Sequence, residues 1–317
     1  MSVPPSLREG LAIPAIAAPM FLVSGPDLVV ETCRSGLIGT FPSLNQRTGE
    51  GYEAWLVEIE NRLAAFRAEA GRTPAAYGVN LIVHRTNARL EQDLEITIRR
   101  RVPLVITSLG AAQTVVDRIH AYGGVVFHDV IHLHHARKAA EAGVDGLIAV
   151  AAGAGGHAGT LSPFAFVAEI RAFFQKTVIL AGAITNGRQI AAARLMGADL
   201  AYLGTRFINT RESLAPPEYK RMIVEAAAKD IVYTPAISGV SGNFLRASIL
   251  AAGGDPDHLP DRGGLNVSAE GELKAWKNIW SAGHGVGDIH DVPSTADLCA
   301  RVIREYRECV EPRDGLL

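Results

Sequence analysis

The amino-acid sequence predicts an α/β fold, a (β/α)8 TIM barrel, on three observations. Eight short apolar runs recur, at residues 15–18, 37–41, 77–82, 104–107, 125–127, 147–150, 178–181 and 200–203, each giving way to a polar or Gly-bearing turn and then a helical stretch. Several runs are nearly continuous in Val, Ile, Leu and Ala, the pattern of parallel strands buried on both faces. The 317 residues, 48% hydrophobic and 20% charged, suffice for one large barrel core.

Along the chain, the first run leads into Ser24-Gly25-Pro26, which opens a helix with Pro near its first turn, and Gly36 stands where a left-handed C-terminal cap belongs. Glu141-Ala142-Gly143-Val144-Asp145 before the sixth run and Leu195-Met196-Gly197-Ala198-Asp199 before the eighth repeat one turn, a helix ending at Gly and passing straight into a strand. After residue 210 the period changes. Residues 215–228 read as helical, 233–243 are Gly/Ser-rich, and 251–264 are crowded with Gly, Pro and Asp. The expected organisation is a barrel over 1–209, a smaller, mainly helical insertion over 210–283 that covers the barrel mouth, and a return to the barrel over 284–317. In that return, 296–307 forms a closing helix with Leu298, Val302 and Tyr306 on one face.

Composition narrows the partners. A formal net charge of -2, 6% aromatic residues and no basic stripe argue against nucleic acid. No apolar run reaches the roughly 18 residues of a membrane span, and the N-terminus lacks a signal-like apolar core, so no membrane partner and a cytoplasmic location are expected. Cys33, Cys299 and Cys309 have no metal-type spacing and read as reduced thiols. His128, His132, His134 and His135 follow the fifth run, but no acidic or Cys ligand has matching spacing, and no metal is expected. His128 and Asp129 do end a barrel strand, which makes them candidates to line a site.

The chemistry concentrates in three loops. Residues 153–159 read Gly-Ala-Gly-Gly-His-Ala-Gly, so one imidazole, His157, stands in a loop otherwise stripped of side chains, as suits backbone approaching a flat or phosphorylated ligand. Gly182-Ala183-Ile184-Thr185-Asn186-Gly187 after the seventh run and Gly204-Thr205-Arg206-Phe207 after the eighth offer backbone N–H groups, a Thr hydroxyl and a helix N-terminus to an anion. A dinucleotide fold is excluded, because no Gly-x-Gly-x-x-Gly follows the first run.

Taken in order, Ala17-Ala18-Pro19-Met20, Gly78-Val79-Asn80, Gly155-Gly156-His157-Ala158-Gly159, Ala181-Gly182-Ala183 and Leu203-Gly204-Thr205-Arg206-Phe207 resemble the flavin-dependent nitronate monooxygenases, over roughly residues 11–212. Trp280-Ser281-Ala282-Gly283-His284-Gly285 resembles a further family segment, with His284 as a lid residue or part of a flexible return. The resemblance implies non-covalent FMN, its ring against main chain at Ala18 and Met20, its polar edge near Asn80, Gly155 close to the flavin, and the phosphate at Gly182, Gly204 and Thr205, within the segment that Leu203 begins. It implies oxidation of an alkyl nitronate, such as propionate 3-nitronate, with O2, giving a carbonyl product and nitrite. His157 would then be the base toward the carbon bearing the nitro group, or a donor to a nitronate oxygen, as an unperturbed pKa near 6.5 allows. Two positions depart from many relatives: Ala183 where a second Gly is usual, and Ala151 where an amide or acid is usual. The first departure is expected to cost little because Ala keeps its N–H.

The alternatives are an NAD(P)H-dependent flavin reductase of quinones or enoyl thioesters and a flavin-binding protein without turnover. The partners expected are the small-molecule nitronate and O2, and a homodimer is compatible with the reading. Trp276 and Trp280, spaced i and i+4, are read as packing residues.

Overall fold

The computed structural model describes residues 2–110, 113–259 and 278–311. Eight parallel strands close a barrel: β1 (Ala15–Ala17), β2 (Ile38–Pro42), β3 (Tyr77–Ile82), β4 (Leu104–Ser108), β5 (Val125–Val130), β6 (Gly146–Val150), β8 (Thr177–Ala181) and β9 (Leu200–Leu203). Closure comes where β1 pairs with both β2 and β9, Ile16 standing opposite Ile38 on one side and Tyr202 on the other.

Strand side chains alternate between faces, and here both faces are buried. Ile16, Ile38, Leu104, Ile106, Phe127, Ile148, Ile179 and Leu200 fill the barrel interior as one cluster. Val79, Val105, Val126, Leu147, Val178 and Ala201 belong to the outer cluster beneath the helices. Double burial is the physical reason the strands read as apolar runs without alternation. Gly36, Gly143 and Gly197 have φ of 88°, 88° and 103°, the left-handed geometry that ends a helix and turns the chain into the next strand.

Helices α1 (Pro26–Arg34), α2 (Gly49–Ala70), α3 (Leu90–Arg99) and α4 (Gln113–His120) follow the first four strands, and the helices that matter for the site are α5 (Leu133–Glu141) after β5, α6 (Pro163–Arg171) before β8, α7 (Gly187–Leu195) after β8 and α8 (Thr205–Ile208) after β9. A C-terminal helix, Thr295–Val310, buries Leu298, Cys299 and Val302. It reaches α7, where Glu305 Oε2 accepts the Gly187 N–H at 2.9 Å.

The segment after residue 210 is not only helical. Its described part carries α9 (Pro217–Glu225), β10 (Ile231–Thr234), β11 (Gly242–Leu245) and α10 (Arg246–Ala251). Strand β11 pairs antiparallel with β10 and also with β7 (Gly156–His157), a two-residue strand in the Gly-rich loop after β6. The Gly/Ser-rich composition that reads as loop thus supplies a sheet, because an extended segment beside another exposed strand edge pairs its backbone groups there. Tyr219, Ile223, Leu245, Ala282, Val286 and Ile289 form a separate small core joining α9, β11 and the return segment. The Tyr219 and Trp280 rings stack at 5.0 Å, so Trp280 packs within this core. Trp276 lies outside the described residues. Among the described residues no helix is long and apolar enough to cross a membrane.

Candidate active site

A cavity of about 720 Å³ opens at the carboxyl ends of the barrel strands, within the usual size range of ligand pockets. Its wall brings together Ala18, Met20, Asn80, His128, Asp129, Gly155, His157, Gly182, Gly204 and Thr205, residues drawn from six barrel strands and the loops that follow them. Two expected residues are not among its lining. The Leu203 side chain is buried in the outer core, and its carbonyl accepts the Ala18 N–H at 2.9 Å, a contact of barrel closure. His284 is exposed, held through its backbone N–H to Gly153 O at 2.9 Å. Its neighbours Gly283 and Gly285 line the cavity instead.

His157 is carried on β7, whose partner β11 comes from the inserted segment, with Gly242 opposite His157 and Asn243 opposite Gly156. The same segment grips the loop on both sides: Asn243 Nδ2 donates to Ala154 O at 2.7 Å, Ala158 N–H to Ser241 O at 3.2 Å, and the Tyr233 hydroxyl to Ala158 O at 3.1 Å. His157 Nε2 lies 3.0 Å from Ser238 Oγ. That hydroxyl gives its hydrogen to Val240 O at 3.0 Å, so Nε2 must be the donor to it. A neutral imidazole with its hydrogen on Nε2 keeps its basic lone pair on Nδ1. Burial pushes the His157 pKa down to about 4, and not near neutrality as the free side chain would suggest. The residue is therefore neutral across the physiological range, the protonation state in which Nδ1 can accept a proton and cannot donate one.

The inner faces of β3, β4, β5 and β9 end in polar residues: Asn80, Ser108, Asp129 and Tyr202, all in the cavity wall. Asn80 Nδ2 donates to Ile106 O at 3.1 Å and to Ser108 Oγ at 2.7 Å, and Ser108 Oγ donates to Asp129 Oδ2 at 2.5 Å. Both Asn80 hydrogens are taken, so Asn80 offers a ligand its carbonyl oxygen only. Burial raises the Asp129 pKa to about 6, opposed by the Ser108 hydrogen bond. His128 alternates to the other face of β5, where Nδ1 meets Thr107 Oγ1 at 2.7 Å, and burial with the nearby His135 pushes its pKa down to about 4. Of the two β5 candidates, Asp129 is the one on the inner face.

The flavin-facing expectations change in three details. The N–H of Ala18 is taken by Leu203 O, and that of Met20 by Ser24 Oγ at 3.0 Å, while the Met20 carbonyl accepts from Asn45 Nδ2 at 3.1 Å. This corner can thus offer a ring its apolar surface but not those donors. A Cβ on Gly155 would come within 2.8 Å of Gly283 N, so the return segment itself requires glycine there. Ala183 adopts φ of 53° and gives its N–H to Gly153 O at 3.3 Å, so the alanine sits in a conformation that favours glycine and its N–H is engaged.

The anion site narrows as well. At the N-terminus of α7, Asn186 is the cap and Glu305 takes Gly187 N–H, while Thr185 Oγ1 donates to Asp288 Oδ2 at 2.7 Å. That end already holds carboxylates. What remains is Gly182, Gly204 and Thr205. Thr205 Oγ1 accepts from Gly283 N at 2.9 Å and retains its own hydrogen to donate. Arg206, the cation adjacent in sequence, turns away, buried against Asp291 at 2.7 Å. The near-side-chain-free wall at Gly182 and Gly204, the Thr205 hydroxyl, and Asp129 Oδ1 with the Tyr202 hydroxyl, both buried without a partner among the described residues, fit a flat, phosphorylated heterocycle.

Among the described residues no group of three or more His, Cys, Asp or Glu is arranged to hold a metal ion. His132 caps α5, its Nδ1 accepting from His135 N–H, with the two rings 3.6 Å apart. Ser108, Tyr202, Ser238 and Asn243 were not picked out by sequence reasoning. Period-2 alternation from Ile106 and Leu200 would have turned Ser108 and Tyr202 inward. Nothing local marks Ser238 or Asn243.

Residues 8–260 match the nitronate monooxygenase family. A nitronate monooxygenase of Paraburkholderia phytofirmans is 25% identical over 95% of this chain and 94% of its own length. A 5-hydroxy-7a-methyl-1-oxo-octahydro-1H-indene-4-carboxyl-CoA dehydrogenase of Mycobacterium tuberculosis is 28% identical over 76% of this chain, the match spanning 65% of that protein. The nitroalkane oxidase of Streptomyces ansochromogenes superposes with a TM-score of 0.80 at 22% identity, over 96% of this chain and 98% of that one, a likeness of fold. The matched span, with the barrel and the cavity it frames, makes the chain a member of the nitronate monooxygenase family and, at that level, a flavin oxidoreductase.

Proposed function

We propose that the protein binds FMN and oxidises alkyl nitronates with O2, giving a carbonyl product and nitrite. The observation that carries this reading is His157: a neutral imidazole in the cavity wall, fixed through Nε2 on Ser238, with Nδ1 as its basic nitrogen. The flavin supplies the electron transfer between nitronate and O2. Gly182, Gly204 and Thr205 would hold its phosphate, the apolar corner at Ala18 and Met20 would lie against the ring, and the Asn80 carbonyl would accept from a ring N–H. For a neutral nitroalkane, His157 takes the proton from the carbon bearing the nitro group and becomes imidazolium beside the nitronate it has made. A nitronate supplied as such needs no proton removed, and His157 then serves to orient it. Val240, Ser241, Ser281, Gly283 and Gly285, which line the cavity, would exclude water from the reacting carbon.

A second reading is a flavin oxidoreductase of an acyl thioester. Lys138 stands exposed in the cavity wall on α5 beside the exposed His135, a cation and a ring N–H suited to phosphates, and a relative is named for a CoA thioester. Anaerobic mixing separates the two. Bleaching of the bound flavin by nitronate, with nitrite released in air without nicotinamide, supports the first. Rapid bleaching by NADH or NADPH with no response to nitronate would replace it with the second.

A further inference from the structure

Two buried polar atoms in the cavity wall have no hydrogen-bond partner among the described residues, Asp129 Oδ1 and the Tyr202 hydroxyl. They stand on the inner faces of β5 and β9, in the tier with Asn80 and Ser108, and Asp129 acts electrostatically on Tyr202. Buried groups left open in this way are ordinarily completed by a ligand or water. The hydrogen-bond directions decide what they can offer. Ser108 gives its only hydrogen to Asp129 Oδ2, which makes Oδ1, the carboxyl oxygen without a partner among the described residues, the favoured seat of a proton. No cation is paired with Asp129 among the described residues. The other titratable groups in the cavity wall are His128, His135, Lys138, His157, Tyr202 and Tyr219, and of these only Lys138 is a fixed cation, exposed at the rim.

We propose that Asp129 meets the flavin as a neutral carboxylic acid, its proton on Oδ1 and donated to a carbonyl oxygen of the ring, with the Tyr202 hydroxyl as a second donor to the same edge. This rests on the flavin reading above. Asn80 then presents an acceptor and Asp129 a donor, the complementary pair that an imide edge with adjacent N–H and C=O groups requires. Filling the cavity removes the remaining water from a carboxyl that burial, against the Ser108 hydrogen bond, already holds at about 6, so FMN binding takes up a proton at neutral pH.

The test compares FMN affinity of the wild type, Asp129→Asn and Asp129→Ala between about pH 6 and about pH 8, by quenching of flavin fluorescence, with proton uptake measured calorimetrically in two buffers. The Asn variant reproduces the neutral acid: its carbonyl accepts from Ser108 and its amide donates where Oδ1–H stood. Wild-type affinity relative to Asp129→Asn should fall as pH rises, approaching tenfold per pH unit, a ratio that cancels titration of the FMN phosphate. Asp129→Asn should show no comparable proton uptake, and Asp129→Ala should bind at least about tenfold more weakly than Asn, the effect of one lost hydrogen bond. A flat wild-type to Asn ratio, or Asn binding as weakly as Ala, overturns the proposal in favour of a carboxylate. If Ala fails to fold, the wild-type and Asn ratio with the proton uptake still decides. Wild type that binds no FMN at any pH is a different result, which overturns the cofactor reading and this proposal with it.

Discussion

The barrel wall and the clasp over its mouth are held by different interactions. In the wall, most strands pair with neighbours close in sequence, and apolar side chains are buried on both faces. In the clasp, a few backbone and polar contacts join distant segments: β7 with β11, Asn243 with Ala154, Gly283 with Thr205, and Asp288 with Thr185. The wall has the apolar area that stabilises a fold, while the clasp has little area and fixes the position of His157. Stability and catalytic geometry are thus largely separable in this chain, and substitutions in each region can test that.

The largest effect should come from His157→Asn. Positioned general bases contribute about 100-fold to 10,000-fold, so activity on neutral nitroalkanes should drop by that range, with a smaller loss on nitronates, retained FMN and an unchanged melting temperature. The base form exists above the folded pKa of about 4. In the wild type, kcat/KM for a neutral nitroalkane should therefore hold as pH falls through 6.5 and be lost only near 4. Equal losses on both substrates would assign His157 to binding oxygens instead of removing a proton.

Next is a deletion in the wall. Phe166 on α6 is fully buried, and Phe166→Ala should cost about 3–5 kcal/mol of stability, read by denaturant unfolding, with kcat/KM per folded molecule near wild type. A proportional loss of activity would break the separation. Gly242→Ala should do the reverse. The new Cβ would lie 2.7 Å from Gly156 O, so β7 must shift; kcat/KM should fall by up to about 100-fold, as misplacement by about 1 Å can cause, while stability falls by about 1–3 kcal/mol. The smallest effect belongs to Ala183→Gly. It relieves the positive φ at residue 183, worth about 1–2 kcal/mol, but adds freedom to the unfolded chain worth about 0.5–1 kcal/mol. A net gain within about 1 kcal/mol is expected by thermal unfolding. A clear loss of stability would mean that the Ala183 methyl group makes a contact worth more than its backbone strain.

The amino-acid sequence by itself determined the barrel and the location of its chemistry. Burial on both faces imposes near-continuous apolar runs, left-handed turns demand Gly143 and Gly197, and barrel geometry sends functional groups to the loops that follow strands. Those are local constraints, written in neighbouring residues, and so the Gly-rich loop with His157 could be read directly. The tertiary structure alone decided what surrounds that imidazole. It paired β7 with a strand more than eighty residues away, tied Nε2 to Ser238, put Asp129 on the inner face of β5 and His128 on the outer, left Leu203 in the core and His284 on the surface, and gave the α7 N-terminus to Glu305. The pKa of a buried group depends on the solvent excluded by segments far apart in the chain, and the role of an N–H depends on which distant carbonyl reaches it first. Neither is encoded in the few residues on either side.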